Sequence, residues 1–419
     1  MKNTYLITAF HLFLVILFMV VFNYQQTSDA IRYIAISNEF LALELTPEFN
    51  CNTAPGYPLF LAIIKVITGH NKYVVAIIQS IIFVFSTLYF INSVKNKYNL
   101  SDNAAFFLLA FFMVFPEFIH ANGSTFTESI CASLLLLIGG AIVNFKKKTD
   151  HLILIIAPIS LALVKFEYLY VVIILLCIFL YEKKFKTLSL SVILLGICLT
   201  MNGLKNKHVF GVFQPTSFGS GTVIYGGNNT NLDGSWHIYG ITKNYIPKKH
   251  EASMDSIIQL SAQHSCIEKD KFYKKMALDA WKNSYIDQIK TIPLKAGKLW
   301  LLPGSMDFYT GQVEIKTGLQ IKSLFSDELW PWYGKYKHGI YLIIYWVYLA
   351  ISLTGVIIKL RTIGLDKIDV FFLSILIINT AIYSIPFYGL GRFHLPVLPL
   401  LVYYSVFVYS KLFSSQRQL

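Results

Sequence analysis

Charge is what this chain has least of. Of its 419 residues only 14% are Asp, Glu, Lys or Arg, while 55% are hydrophobic; a soluble domain carries about a quarter charged residues. A water-soluble globule of this size is thereby excluded. Cysteine is scarce and scattered, at Cys51, Cys131, Cys177, Cys198 and Cys266, with no Cys-x-x-Cys pair and no zinc spacing. Cys131, Cys177 and Cys198 fall in apolar runs and read as small core residues. Cys51 and Cys266 are the two placed to meet on an outer face, and a disulfide between them stays open at this point. Acidic residues are fewer than basic ones, 23 against 36, for a net charge of +13. That excess sits beside apolar runs, where it orients helices and meets anionic lipid headgroups. No basic motif of the nucleic-acid-binding kind is present, so nucleic acid is not an expected partner.

What is present is a series of apolar runs near 20 residues, the length of helix that crosses about 30 Å of hydrocarbon. Examples are Tyr5–Phe22, Tyr73–Val94, Ala104–Ile119, Ile130–Phe145 and Tyr341–Ile358. The first follows Lys2 as a signal peptide would, but its apolar core is too long and no cleavage site follows, so it reads as a retained anchor. The short segments Lys95–Lys97, Lys146–Lys148, Lys183–Lys186 and Lys359–Lys367 are basic, and with Lys411 and Arg417 they are assigned to the cytoplasm. Asp29, Glu39, Glu44, Glu48 and Glu117 fall on the other side. Alternation predicts an all-α polytopic membrane protein with about ten transmembrane helices and both termini cytoplasmic. The spans lie near 5–24, 73–94, 104–119, 124–145, 151–164, 167–181, 187–203, 338–359, 367–387 and 393–411. The fifth and sixth are short and meet at Lys165, Phe166 and Glu167, which leaves a re-entrant hairpin open.

This divides the chain into an N-terminal transmembrane module, 1–203, an outer loop domain, 204–337, and a C-terminal transmembrane module, 338–419. The first outer loop, 25–72, is expected to hold amphipathic helices along the membrane surface. The 204–337 loop opens turn-rich around Gly219, Gly221, Gly226 and Gly227, and helical spacing follows at Met254–His264 and Lys271–Ala296. Glycosylation-type signals at Asn122 and Asn228 carry no meaning in a bacterial cell.

The residues that carry chemistry gather at the outer edge. Asp29, Arg32 and Tyr33 follow the first span at i, i+3 and i+4, neighbours on a helix; taken alone they read first as an interfacial cap of snorkelling Arg, anchoring Tyr and solvated Asp. Ala54-Pro55-Gly56-Tyr57-Pro58 fixes a bend that returns the chain to the bilayer. Glu128 enters the fourth span after Ser124-Thr125-Phe126-Thr127. It reads either as a carboxylate facing a cavity or a partner or as a first-turn acid favoured by the helix dipole, with Thr125 as cap. Lys165 and Glu167 read as a structural ion pair or as a phosphate site at a broken helix. Arg392 and His394 open the last span, and Pro396 and Pro399 suggest a shaped, protein-lined segment.

In this order the motifs resemble the C-type glycosyltransferase superfamily, membrane enzymes that use polyprenyl-phosphate sugars, such as the protein O-mannosyltransferases and aminoarabinose transferases. They are Asp29-x-x-Arg32-Tyr33, Pro55-Gly56-Tyr57-Pro58, Thr127-Glu128, Lys165-x-Glu167 and Arg392-Phe393-x-x-Pro396. The resemblance covers most spans and fades in the 204–337 loop. It implies an inverting transfer of a sugar from a polyprenyl phosphate to an acceptor hydroxyl of a glycan, lipid or protein. It places the site on the outer face of a bacterial inner membrane. Asp29 would be the base, Arg32, Lys165 and Arg392 would hold the donor phosphate, and Tyr33, Tyr57, Glu128 and His394 would contact substrate. Relatives with two adjacent acids differ from this chain, where Ala30 follows Asp29. Asn52 and Thr53 stand where aminoarabinose transferases have a lysine. The missing second acid disfavours a divalent metal, so no cofactor is expected. An O-antigen polymerase-like or ligase-like enzyme would centre its cations in the large loop, where Lys243, Lys248, Lys249 and His250 form only a modest cluster. A transporter or flippase of lipid-linked saccharides would show inverted repeats and mid-span polar residues; no repeat is evident.

Overall fold

The computed structural model describes residues 2–21, 28–69, 71–145, 147–228, 265–303 and 331–414. All regular structure among these residues is helical. From the N-terminus come α1 (Lys2–Val21), α2 (Ser28–Ala42), α3 (Pro47–Asn50), α4 (Gly56–Thr68), α5 (Lys72–Tyr98), α6 (Asp102–Val114), α7 (Pro116–Gly123), α8 (Thr127–Asn144), α9 (Lys148–Val164) and α10 (Leu169–Tyr181). They are followed by α11 (Phe185–Phe210), α12 (Ser220–Gly227), α13 (Cys266–Leu301), α14 (Pro331–Thr362), α15 (Lys367–Ser384), α16 (Leu398–Val402) and α17 (Ser405–Ser414). Single 3₁₀ turns stand at Phe166–Tyr168 and Gly391–Phe393.

Five of these helices have the length and apolarity of a membrane crossing: Lys72–Tyr98, Thr127–Asn144, Phe185–Phe210, Gly339–Thr362 and Lys367–Ser384. The 27 residues of α5 reach about 40 Å at 1.5 Å per residue. The run expected as one span over 104–119 is a broken pair, α6 and α7, bent by 52°. Pro116 supplies no N–H to continue α6, and it forces Phe115 into extended geometry at φ −64° and ψ 119°. The last segment is irregular for the same reason: Pro396 and Pro399 split 393–411 into turns and two short helices, and Leu395 to Tyr404 are almost wholly buried in protein.

α5, α8 and α9 form the centre of the bundle, α1 leans on α5, α6 and α7, and α14 packs along α17. The outward faces of α11 and α14 are apolar and exposed, with Leu190, Ile193, Ile197, Ile343 and Val347 among them. Such faces suit lipid rather than water. α11 runs on to Phe210, past the expected domain boundary at 203.

Polar and charged side chains gather at two ends of the bundle. At one, the basic loops bind to one another: Tyr98 donates to Asp366 at 2.8 Å, Tyr89 to Asp150 at 2.6 Å, Lys95 pairs with Asp102 at 2.5 Å, and Lys359 pairs with Asp369 and Lys367 with Glu182. The opposite ends of the same helices carry Gln79, Ser124, Glu128, Lys165 and Tyr383.

α2 and α4, the expected amphipathic helices, pack on each other. α2 buries Ala30, Tyr33, Ile36 and Ser37 along one face, while α4 buries Tyr57, Leu61 and Ile64 and exposes Leu59, Ile63, Val66 and Ile67. Gly56 opens α4 because a Cβ there would lie 2.7 Å from the Leu163 backbone. The glycines of the 204–337 loop, expected in turns, mostly sit in α12, which lies against α13. At Gly221 a Cβ would collide with the Asp270 carbonyl, so the glycines permit close helix contact. α13 covers the predicted helix at 271–296; the one at 254–264 lies outside the described residues. Cys51 and Cys266 are bridged, with Cα atoms 6.3 Å apart, which fastens the segment between α3 and α4 to α13. Cys131 is buried as expected, whereas Cys177 faces outward. Asn122 and Asn228 are both fully buried and hydrogen-bonded, so neither signal presents a free side chain.

Candidate functional site

Asp29 stands in the first turn of α2, where the helix dipole favours an acid. One carboxylate oxygen accepts from Arg32, one turn on, at 3.1 Å; the other accepts from Arg392, 363 residues away in the chain, at 3.0 Å. The side chain of Asp29 is 22% exposed. Burial raises its pKa, but the guanidinium groups of Arg392 and Arg32 outweigh burial and hold the carboxyl below the usual carboxylate range. Two arginines on one carboxylate leave one positive charge in excess at this end of the site.

Arg392 belongs to the 3₁₀ turn Gly391–Phe393 and lies over the rings of Phe126, at 6.0 Å, and Phe393, at 5.3 Å. The Lys165 ammonium approaches Phe393 at 5.5 Å. One aromatic ring thus receives two cations, an arrangement favoured by the ring quadrupole and tolerable because each cation also has its own carboxylate. The partner of Lys165 is Glu128, at 3.1 Å, with side chains 12% and 4% exposed. The expected pairing of Lys165 with Glu167 is therefore not formed. Lys165 terminates α9 with φ −146° and ψ 112°, which turns its side chain toward α8 rather than along its own segment. Glu167 makes no hydrogen bond or ion pair among the described residues. The two readings of Glu128 resolve in favour of the partner. It does stand in the first turn of α8, but the N-cap is Phe126 and Thr125 does not cap it.

Tyr33 and Tyr57 meet edge to face at 5.1 Å. Tyr57 is fully buried and donates to Gln79 at 2.7 Å; Gln79 in turn donates to the Ser124 carbonyl at 2.8 Å, just before α8. This chain of contacts ties the Pro-Gly-Tyr-Pro bend to the entrance of the helix that carries Glu128. Burial, reinforced by Asp29, pushes the Tyr33 phenol up to about 12, so it stays protonated.

Seven of the eight residues singled out in the sequence, Asp29, Arg32, Tyr33, Tyr57, Glu128, Lys165 and Arg392, therefore share one region. His394 does not join them. It points inward, beside the Leu299 carbonyl and 3.1 Å from the Tyr345 hydroxyl, with its ring stacked on Trp300. No group of three or more His, Cys, Asp or Glu side chains placed to hold a metal occurs among the described residues. Sequence reasoning passed over Tyr168, Tyr170 and Tyr383, which line the same region. Their one signal was tyrosine at the ends of otherwise apolar helices.

No protein-family model matches the chain, and no curated protein matches it.

Proposed function

We propose that this chain is an integral membrane glycosyltransferase that moves a sugar from a polyprenyl-phosphate donor to an acceptor hydroxyl, with inversion. The observation that carries the proposal is the convergence of Arg32, Lys165 and Arg392 with Asp29 and Glu128 from four separate segments, at the pole opposite the basic loops. A structural cap on α2 requires only Arg32; it gives no reason for a second arginine from the far end of the chain.

In the proposed reaction the acceptor oxygen bonds to the anomeric carbon. The bond from that carbon to the phosphate oxygen breaks, and its electron pair leaves with the lipid phosphate. The acceptor proton passes to Asp29. Arg392 and Arg32 offset the charge that grows on the phosphate in a site partly shielded from water. Their present bonds to Asp29 give donor binding a second effect. A phosphate that draws the guanidinium groups to itself loosens them from Asp29 and raises its basicity just when a base is needed. His394 has no part in this scheme.

The same reading keeps about ten spans, with both termini cytoplasmic, the site on the outer face of a bacterial inner membrane, and acceptor choice left to the 204–337 loop. The Cys51–Cys266 bridge supports the outward placement, since disulfides persist in oxidising compartments. The exposed apolar face of α4 supports a helix lying at the bilayer edge, where a lipid-linked sugar enters sideways. The test is donor binding by the purified protein. Arg392→Ala should weaken affinity for a polyprenyl-phosphate sugar by roughly 10- to 100-fold, the worth of a charge-assisted hydrogen bond. Unchanged affinity would remove Arg392 from the phosphate site.

A further inference from the structure

We propose that Glu167, Tyr168 and Tyr383, with Tyr170 beside them, form the subsite for the sugar ring of the donor, and that this subsite takes a neutral sugar rather than an acidic one. The inference deepens the glycosyltransferase reading and rests on it.

The hydroxyls of Tyr168, Tyr170 and Tyr383 are buried and have no hydrogen-bond partner among the described residues. Tyr168 and Tyr383 are 1% and 2% exposed. Other buried tyrosines of this protein do find partners: Tyr57 donates to Gln79, Tyr345 to the Trp300 carbonyl and Tyr403 to Tyr98. Buried phenols without partners are costly, because desolvation is not repaid. Three on neighbouring residues need an explanation that packing does not supply. Tyr383 lies within electrostatic reach of Lys165, Glu167, Tyr168 and Tyr170, and Tyr168 of Tyr383, Glu167 and Tyr170; the Tyr168 and Tyr170 rings are 5.9 Å apart. Tyr383 stacks on Phe393 at 4.5 Å, the ring that also receives Lys165 and Arg392.

The site is therefore polarised. At the Asp29 end two arginines face one carboxylate, which suits a phosphate. At the other end Lys165 is already matched by Glu128, and Glu167 is left over as an unpaired acceptor. A carboxylate with free oxygens and three phenols that donate or accept match the hydroxyls of a sugar, while the aromatic faces suit its C–H side. An acidic sugar would meet Glu167 as a like charge.

The test uses the full-length protein in lipid nanodiscs and synthetic farnesyl phosphodiesters, each with one charge on its phosphate. The methyl diester is the baseline, compared with the glucosyl, galactosyl, mannosyl and glucuronosyl diesters. At least one neutral hexosyl diester should bind about tenfold or more tightly than the methyl diester, a gain of one to two hydrogen bonds. The glucuronosyl diester should show no gain. Tyr168→Phe/Tyr383→Phe should abolish the hexosyl gain, and Glu167→Gln, tested separately, should reduce it and admit the glucuronosyl diester. Thermal unfolding checks that each variant is folded. If the methyl diester binds through Arg392 but no hexosyl diester exceeds it, or if the gain survives both variants, the subsite is wrong and the phosphate site stands. If the methyl diester does not bind, or binds equally to Arg392→Ala, the donor reading fails and the subsite falls with it.

Discussion

Removal of either member of the Lys165–Glu128 pair should damage the protein more than removal of both. The pair is 3.1 Å apart, with Lys165 12% and Glu128 4% exposed, and it joins the end of α9 to the start of α8. Truncation of one partner strands the other charge in protein, at a cost of about 3–5 kcal/mol. Replacement of both leaves no stranded charge and costs only packing, about 1–2 kcal/mol at sites of this size. Lys165→Met and Glu128→Gln are near in volume to the native side chains, so cavity effects stay small. The double variant should recover about 2 kcal/mol or more over the worse single variant, a coupling well above the few tenths expected of independent sites. Unfolding in mixed micelles, followed by tryptophan fluorescence, gives the four stabilities of the cycle. Additive single effects, or single variants within about 0.5 kcal/mol of wild type, would refute a buried pair.

Three further outcomes follow from the same geometry. Asp29 ionises below the usual carboxylate range in the free protein because Arg392 and Arg32 outweigh its burial; its paired charge is present above about pH 4 and is lost as pH falls further. The pH profile of kcat/KM should then show no acid limb from Asp29 above about pH 5, while kcat should show one at higher pH, once phosphate has taken the arginines; coincident limbs would contradict that exchange. Lys295 in α13 is fully buried against Asn228 and the Ile385 carbonyl, and burial pushes its pKa down to about 8. The unfolded value is about 10.4, so the native state bears the cost of the buried charge below pH 8 and sheds it as pH rises toward 10. Stability should climb by up to about 3 kcal/mol over that window and stay flat in Lys295→Met, as chemical unfolding at each pH will report. Loss of the Cys51–Cys266 bridge in Cys51→Ser/Cys266→Ser should cost about 2–4 kcal/mol and abolish the gel-mobility shift that reduction causes in wild type.

What the sequence could and could not reveal follows from how far apart partners lie in the chain. The membrane class, the two poles and the helical first loop were legible because composition, basic loops and periodic burial are local signals. The gathering of Asp29, Arg32, Lys165 and Arg392 was legible only as an assignment of all four to one side of the membrane. The pairing itself was not. Lys165 has Glu167 two residues away but pairs with Glu128, 37 residues away, because the extended backbone at the α9 terminus decides where the side chain points. His394 looked equivalent to Arg392 two residues earlier, yet the 3₁₀ turn sends one to the cluster and the other to Trp300. The third span broke where Pro116 stands, a signal that was present in the sequence. The glycines of α12 read as turns because close packing against α13 leaves no local mark.

The most direct test of the central proposal is mass spectrometry of envelope glycans from cells that lack the protein, cells that carry it, and cells that carry Asp29→Asn at matched membrane levels. The proposed chemistry predicts a glycan heavier by one sugar residue in wild type alone, with Asp29→Asn indistinguishable from the deletion. A full wild-type glycan in the Asp29→Asn cells would show that Asp29 is not the base, and identical glycans in all three would contradict sugar transfer by this protein.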